Sequence, residues 1–439
     1  MLIIKNARVF INNTIQPAEI AIDEGKILEI RRIISIKEAD KVIDAKTALV
    51  LPGGIDIHVH FRDPGMTNKE NWYTGSCAAA AGGITMVIDH PNTLPPTIDV
   101  QSFKMKLKAA KKSIIDYGIN AGVTQNFDPK NLKQLWNLGV MAFGEIFMTE
   151  FPSNIKLKEA FEIIGSLGAI ACIHAEDKDI NRRFTNMVKK HSQAEYYSEA
   201  RPELSERKAV ERALILWNLS QANTKLHFCH ISSHESLEII RKAKNITCEV
   251  APHHLFLSTK DWRQLGVKVK TNPPLRDFHS QQSLWKGLNN GTINVVASDH
   301  APHLEHEKID DVWDAPPGVP GVETMLPLML MAVKRNLLTL KRFIQVISTN
   351  PARMFHLNKG MLAPGYDADM IIIGNEMKIR KEKMHSRAGW TPYNDMQGIF
   401  PKITISGGEV VFEDGEIIGK RGRGKFIAGK GIKKANEKE

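Results

Sequence analysis

The segment Gly53-Gly54-Ile55-Asp56-Ile57-His58-Val59-His60-Phe61-Arg62-Asp63-Pro64-Gly65 carries two imidazoles one residue apart at the end of an apolar run. Such a run reads as a buried parallel strand, and Pro64-Gly65 closes it in a turn. Side chains alternate along a strand, so His58 and His60 leave the same face and can share a metal. Arg62 continues that face outward, where a guanidinium can grip an anion by a two-pronged contact.

The elements that would position these groups follow from the pattern of the rest of the chain. Eight strand-like runs (55–60, 84–89, 117–122, 140–147, 169–174, 225–230, 246–250 and 293–298) alternate with helical patterns at 70–81, 98–111, 156–167, 205–219 and 234–243. This alternation predicts a (β/α)8 TIM-type barrel over residues 51–356, with its chemistry at the C-terminal strand ends. Short β-rich runs at 2–10, 19–22 and 27–33 are answered near the other end by 369–373, 403–406 and 409–412. Neither set can close a core alone, so residues 1–50 and 357–419 are expected to form one small β-sandwich.

This frame collects scattered polar residues onto one rim. The fourth run carries Glu145, the fifth ends at His174, the sixth at His230, and the eighth runs into Asp299. With His58 and His60 they form a nitrogen and oxygen donor set suited to zinc, with manganese, iron or cobalt as substitutes. His227 and His230 are three apart and face opposite ways on an extended strand, and His230 lies nearer the rim. Asp299 is placed to bind metal and to move protons.

The composition is that of a globular chain, 42% hydrophobic, with no apolar run of membrane-spanning length. Met1–Asn6 lacks the basic start and apolar core of a signal peptide. Cys77, Cys172, Cys229 and Cys248 form no CxxC pair and read as core residues in a reducing compartment, hence the cytoplasm. The net charge of +10 is concentrated at 420–439, where eight basic residues face Glu437 and Glu439. That tail reads as flexible and solvated rather than as a nucleic-acid site.

The motif from His58 to Gly65 resembles the signature of dihydroorotases in the amidohydrolase superfamily. Further matches follow in order: Gly75 to Gly83, Pro91-Asn92-Thr93, His174-Ala175-Glu176-Asp177, His230-Ile231-Ser232 and Cys248 to His254. Thr271 to Arg276, Asp299-His300-Ala301-Pro302-His303, Gly318 to Thr324, Asn350 to Arg353 and Pro364 to Asp369 complete them. The resemblance implies a hydrolase that interconverts N-carbamoyl-L-aspartate and L-dihydroorotate in pyrimidine synthesis, with one or two zinc ions per chain. By it, His58, His60, His174, His230 and Asp299 match metal ligands, and Asp299 the proton carrier. Arg62, Asn92, Asn272 and His303 match the groups that hold the substrate. A homo-oligomer and a contact with aspartate transcarbamoylase are compatible with it.

The chain departs from the family at one point. Many members carry a carboxylated lysine on the fourth strand, whereas Gly139 to Met148 contains none. Glu145 is expected to replace it as a bridging or second-metal ligand, the alternative being a local ion pair at a one-metal site. The rival activities are allantoinase and dihydropyrimidinase or hydantoinase, whose neutral substrates need no Arg62, and a non-catalytic scaffold, which the retained ligands disfavour. Residues 303–320, with Glu305, Glu307, Lys308, Asp310, Asp311, Trp313 and Pro316-Pro317-Gly318, form either a lid or an ordered connection.

Overall fold

The computed structural model describes residues 1–36, 39–221, 225–308 and 311–432. Eight parallel strands form the barrel: Gly54–Val59, Ile84–Asp89, Asp116–Ile119, Phe143–Phe147, Ile170–His174, Lys225–Phe228, Ile246–Val250 and Val295–Val296. Strands one to three and four to eight pair continuously, and single bridges at Ala121–Phe143 and Val59–His300 close the ring. The eighth strand is much shorter than the run that announces it. Beyond it the chain turns inward, and His60 N–H donates to the His300 carbonyl at 2.8 Å. This bond places His60 and Asp299 side by side.

Helices cover the barrel as the pattern predicts, including Trp72–Ala81, Val100–Ala110, Asn154–Leu167, Glu203–Ser220 and His234–Lys242. The first starts where Asn71 accepts from the backbone N–H of Tyr73 and Thr74, an N-cap that satisfies otherwise orphaned donors. Its Gly75 is required by packing, because a Cβ there would sit 2.6 Å from the Phe61 ring. That approach buries Phe61 between His60 and Arg62.

The two chain ends build one nine-stranded sheet around a shared core containing Ile4, Val9, Ile20, Ile22, Val50, Met370, Ile372, Ile403 and Ile405. Leu49–Pro52 pairs antiparallel with Met370–Lys378 and so joins the N-terminal half to the C-terminal half. The hairpin between Leu2–Ile11 and Thr14–Asp23 turns at Asn12 and Asn13, both left-handed, as a tight primed turn requires.

One expectation changes in the structure, and one open alternative is decided. Residues 420–432, read as part of a flexible tail, lie against the N-terminal end of the barrel strands. Tyr117 N–H donates to Lys425 at 3.0 Å, Ile427 N–H to Tyr117 at 2.8 Å, and Gly429 N–H to Gly139 at 2.9 Å. The glycines that suggested mobility instead permit contact, since a Cβ at Gly424, Gly429 or Gly431 would lie about 2 Å from a backbone oxygen. Lys433, Lys434 and Lys438 lie outside the described residues. The segment after strand eight is a packed connection where it is described. The buried Lys308 ammonium donates to the carbonyls of Lys270, Pro316 and Gly318 at 3.0, 2.8 and 3.0 Å. Asp310 lies outside the described residues.

Candidate metal centre

The six residues expected as ligands meet at the C-terminal end of the barrel, all buried. Two triads have donor atoms within 4.8 Å of one another: His58, His60 and Asp299, and Glu145, His174 and His230. Glu145 stands between them. Its Oε1 lies 2.9 Å from His174 Nδ1 and 2.8 Å from His230 Nε2. Its Oε2 lies 3.8 Å from His58 Nε2 and 4.0 Å from His60 Nε2. Asp299 Oδ1 lies 3.6 and 3.3 Å from the same two nitrogens.

Local backbone geometry aims these groups. A Cβ on Gly144, at φ 155°, would meet Cys172 at 2.5 Å, so only glycine lets strand four lie close enough to strand five to present Glu145. Arg62, His230 and Asp299 all have left-handed backbones, with φ of 58°, 32° and 47°. Such non-glycine conformations cost about 1–3 kcal/mol each and gather at functional sites.

Electrostatics favour a charged cluster despite its burial. Burial alone would raise the Glu145 carboxyl, but bonds from His174 and His230, with His58 close by, hold it well below the usual carboxylate range. Burial likewise works to raise Asp299, and the bond from His60 with the fields of His58 and His230 holds it below that range. His58 Nε2 nevertheless remains buried without a hydrogen-bond partner, although both carboxylates lie within 4 Å. Four imidazoles, two carboxylates and an orphaned ring nitrogen form a donor set that fits a divalent ion.

Outer partners fix the ligand rings. His58 Nδ1 meets buried Glu249 at 2.5 Å, whose other oxygen meets His227 Nε2 at 3.0 Å. His227 therefore serves the cluster from behind. His174 Nε2 meets Glu176 at 2.8 Å, and Arg201 clamps that carboxylate, its Nε donating at 2.8 Å. His90 stacks on His58, with ring centroids 3.9 Å apart and planes 16° apart. Glu249 and His90 were missed in the sequence, although a glutamate inside the apolar run Cys248–Val250 signals a buried charge needing a partner. Glu176 stood inside a quoted motif without a role.

Of the residues expected to hold substrate, Arg62 and His303 meet, with Nη2 and Nε2 3.4 Å apart. Asn272 accepts from the Tyr197 hydroxyl at 2.6 Å, and the side-chain oxygen of Asn92 is buried without a partner. Neither asparagine has a direct bond to Arg62 or His303 in the structure's hydrogen-bond network.

Residues 49–411 match the Amidohydrolase family, and the chain belongs to that family. It is 52% identical to the dihydroorotase of Methanosarcina mazei over 98% of each chain. It is 51% identical to that of Methanosarcina acetivorans, over 99% of this chain and 97% of the relative. Among solved structures it resembles L-hydantoinase (dihydropyrimidinase) from Arthrobacter aurescens. That likeness has a TM-score of 0.92 at 30% identity, over 97% of this chain and 99% of the other.

Proposed function

We propose that this chain is a metal-dependent dihydroorotase, catalysing reversible ring opening of L-dihydroorotate to N-carbamoyl-L-aspartate. The observation that carries the reading is Arg62. Its guanidinium is buried beside His303, at the end of the strand that supplies His58 and His60. A cation there matches a ring amide that bears a carboxylate, whereas the neutral rings of hydantoinases and allantoinases offer it nothing to pair with. The dihydroorotase relatives support the same substrate.

His58, His60, His174, His230, Glu145 and Asp299 would hold the metal, zinc by donor type, with Glu145 offering one oxygen to each triad. When bound, such an ion would acidify water and polarise the amide carbonyl. Asp299 accepts the proton of the attacking water and returns it to the ring nitrogen as the carbon–nitrogen bond breaks. The water's other proton leaves to solvent, and the new carbon–oxygen bond completes the product's second carboxylate. Arg62 and His303 hold the existing carboxylate, fixing which carbonyl faces Asp299.

Rates with dihydroorotate, allantoin and dihydrouracil test the assignment, and preferential turnover of either neutral ring would overturn it. Metal analysis tests the bridging glutamate separately. Two ions per chain are expected, falling to one in Glu145→Gln. One ion in both proteins would show that Glu145 is not a bridge.

A further inference from the structure

Lys69 lies seven residues beyond Arg62 and has no part in the chemistry above, yet its ammonium reaches into the carboxylate pocket. Nζ lies 3.0 Å from His303 Nδ1 and 2.8 Å from Glu307 Oε1. An ammonium has only donors, so His303 Nδ1 must accept. The imidazole proton then resides on Nε2, which donates to the Pro317 carbonyl at 3.1 Å. With Nε2 protonated, its 3.4 Å approach to Arg62 Nη2 joins two donors and is no hydrogen bond between them. The single Nε2–H serves the Pro317 carbonyl, so a substrate carboxylate lying against Arg62 Nη2 would have to take it over from that carbonyl.

Both sides of this arrangement are fixed. Lys69 precedes Glu70, whose fully buried carboxylate accepts from Ser386 Oγ at 2.6 Å and Asn71 N–H at 3.1 Å. The His303 carbonyl accepts from Trp390 Nε1 at 2.8 Å. Glu307 is itself tied down, accepting from Leu304 N–H at 2.8 Å. Burial, with Arg62, Lys69 and Lys308 close by, also pulls the His303 imidazolium down to about 2, so the ring stays neutral.

We propose that Lys69 is a positioning residue that sets specificity: it locks His303 in the Nε2-protonated tautomer, so that Nε2–H, held by the Pro317 carbonyl, can be taken over by the substrate carboxylate beside Arg62 instead of Nε2 accepting from Arg62. The proposal rests on the dihydroorotase reading for its substrate but not for its tautomer. Nitrogen-15 NMR of the metal-loaded enzyme, with His303 assigned by comparison with His303→Gln, should show a bare Nδ1 and a protonated Nε2. Lys69→Met should lose that single tautomer and raise KM for dihydroorotate about tenfold, the scale of one charge-assisted hydrogen bond. kcat should hold within about threefold, because a carboxylate contact far from the breaking bond acts on ground and transition states alike. Lys69→Arg should restore both readings, and Glu307→Gln should leave both unchanged. A protonated Nδ1 in the parent enzyme would overturn the proposal, as would an unchanged KM in Lys69→Met. A parent enzyme with the expected tautomer but no turnover of dihydroorotate would instead overturn the substrate reading.

Discussion

At the N-terminal end of the barrel strands, Lys359 reaches Asp369 at 2.6 Å, Asp116 at 2.7 Å and Asp367 at 3.1 Å. At the opposite end, Glu145 and Asp299 face imidazoles, and among the described residues no ammonium or guanidinium lies within ion-pair distance of either. Both ends bury ionised carboxylates, which is costly unless a cation compensates. The lower cluster carries its cation in the chain, and the three aspartates draw the proton affinity of Lys359 upward against its burial. The upper cluster has neutralisable bases and an orphaned nitrogen instead. The upper end is therefore arranged for a cation from outside the chain.

The largest expected effect breaks the upper end. Asp299→Asn keeps size and oxygen donor but removes the charge and the proton carrier. Its turnover should fall by about 10²–10⁴-fold, the usual contribution of a general acid–base group. Initial rates measured with metal content in the same samples would separate lost proton transfer from lost metal. A variant retaining metal and a tenth of the activity would show that another group carries the proton.

The next breaks the lower end. Lys359→Met leaves the buried carboxylates of Asp116 and Asp369 without their cation, while half-buried Asp367 keeps Lys26, and breaking such a buried pair costs about 3–5 kcal/mol. The cluster joins the start of the third strand, at Asp116, to the nine-stranded sheet just before Met370. Denaturant unfolding should register the loss, while turnover per folded molecule stays near the parent value. A stability loss under 1 kcal/mol would show that the aspartates find water or protons instead, and that the two ends differ less than their geometry suggests.

The two ends also differed in how far the sequence revealed them. The upper ligands were legible because strands alternate and end where polar residues interrupt apolar runs, which places His58, His60, Glu145, His174, His230 and Asp299 on one rim. The lower cluster was not legible. Lys359, Asp116, Asp367 and Asp369 sit in no shared pattern, and only the packing of the segment before Met370 against the start of the third barrel strand brings them together. The partners behind the ligands fell between these cases. Glu249 betrayed itself as a charge in an apolar strand, whereas Arg201 reaches Glu176 from another helix–loop unit with no local signal. The segment 420–432 failed for a further reason: glycine frees an unpacked chain but also admits close backbone contact, and composition does not distinguish the two.

The smallest effects concern the carboxylates behind the ligands, where the same substitution should act unequally. Replacing such a partner commonly lowers metal affinity about 10–100-fold. In Glu249→Gln, the amide oxygen can still accept from His58 Nδ1 and the amide nitrogen can donate to His227 Nε2, whose Nδ1 already faces the Thr247 hydroxyl at 2.9 Å. Only charge is lost, so affinity should fall near the tenfold end. In Glu176→Gln, the partners are His174 Nε2 and two donor nitrogens of Arg201, and a glutamine cannot accept from all of them. Its NH₂ group would face a guanidinium donor, turning Arg201 away and freeing the His174 ring. Affinity there should fall toward 100-fold, read by competition with a chelator of known strength. Equal losses in the two variants would mean that charge alone, and not hydrogen-bond pattern, governs how the protein holds its cation.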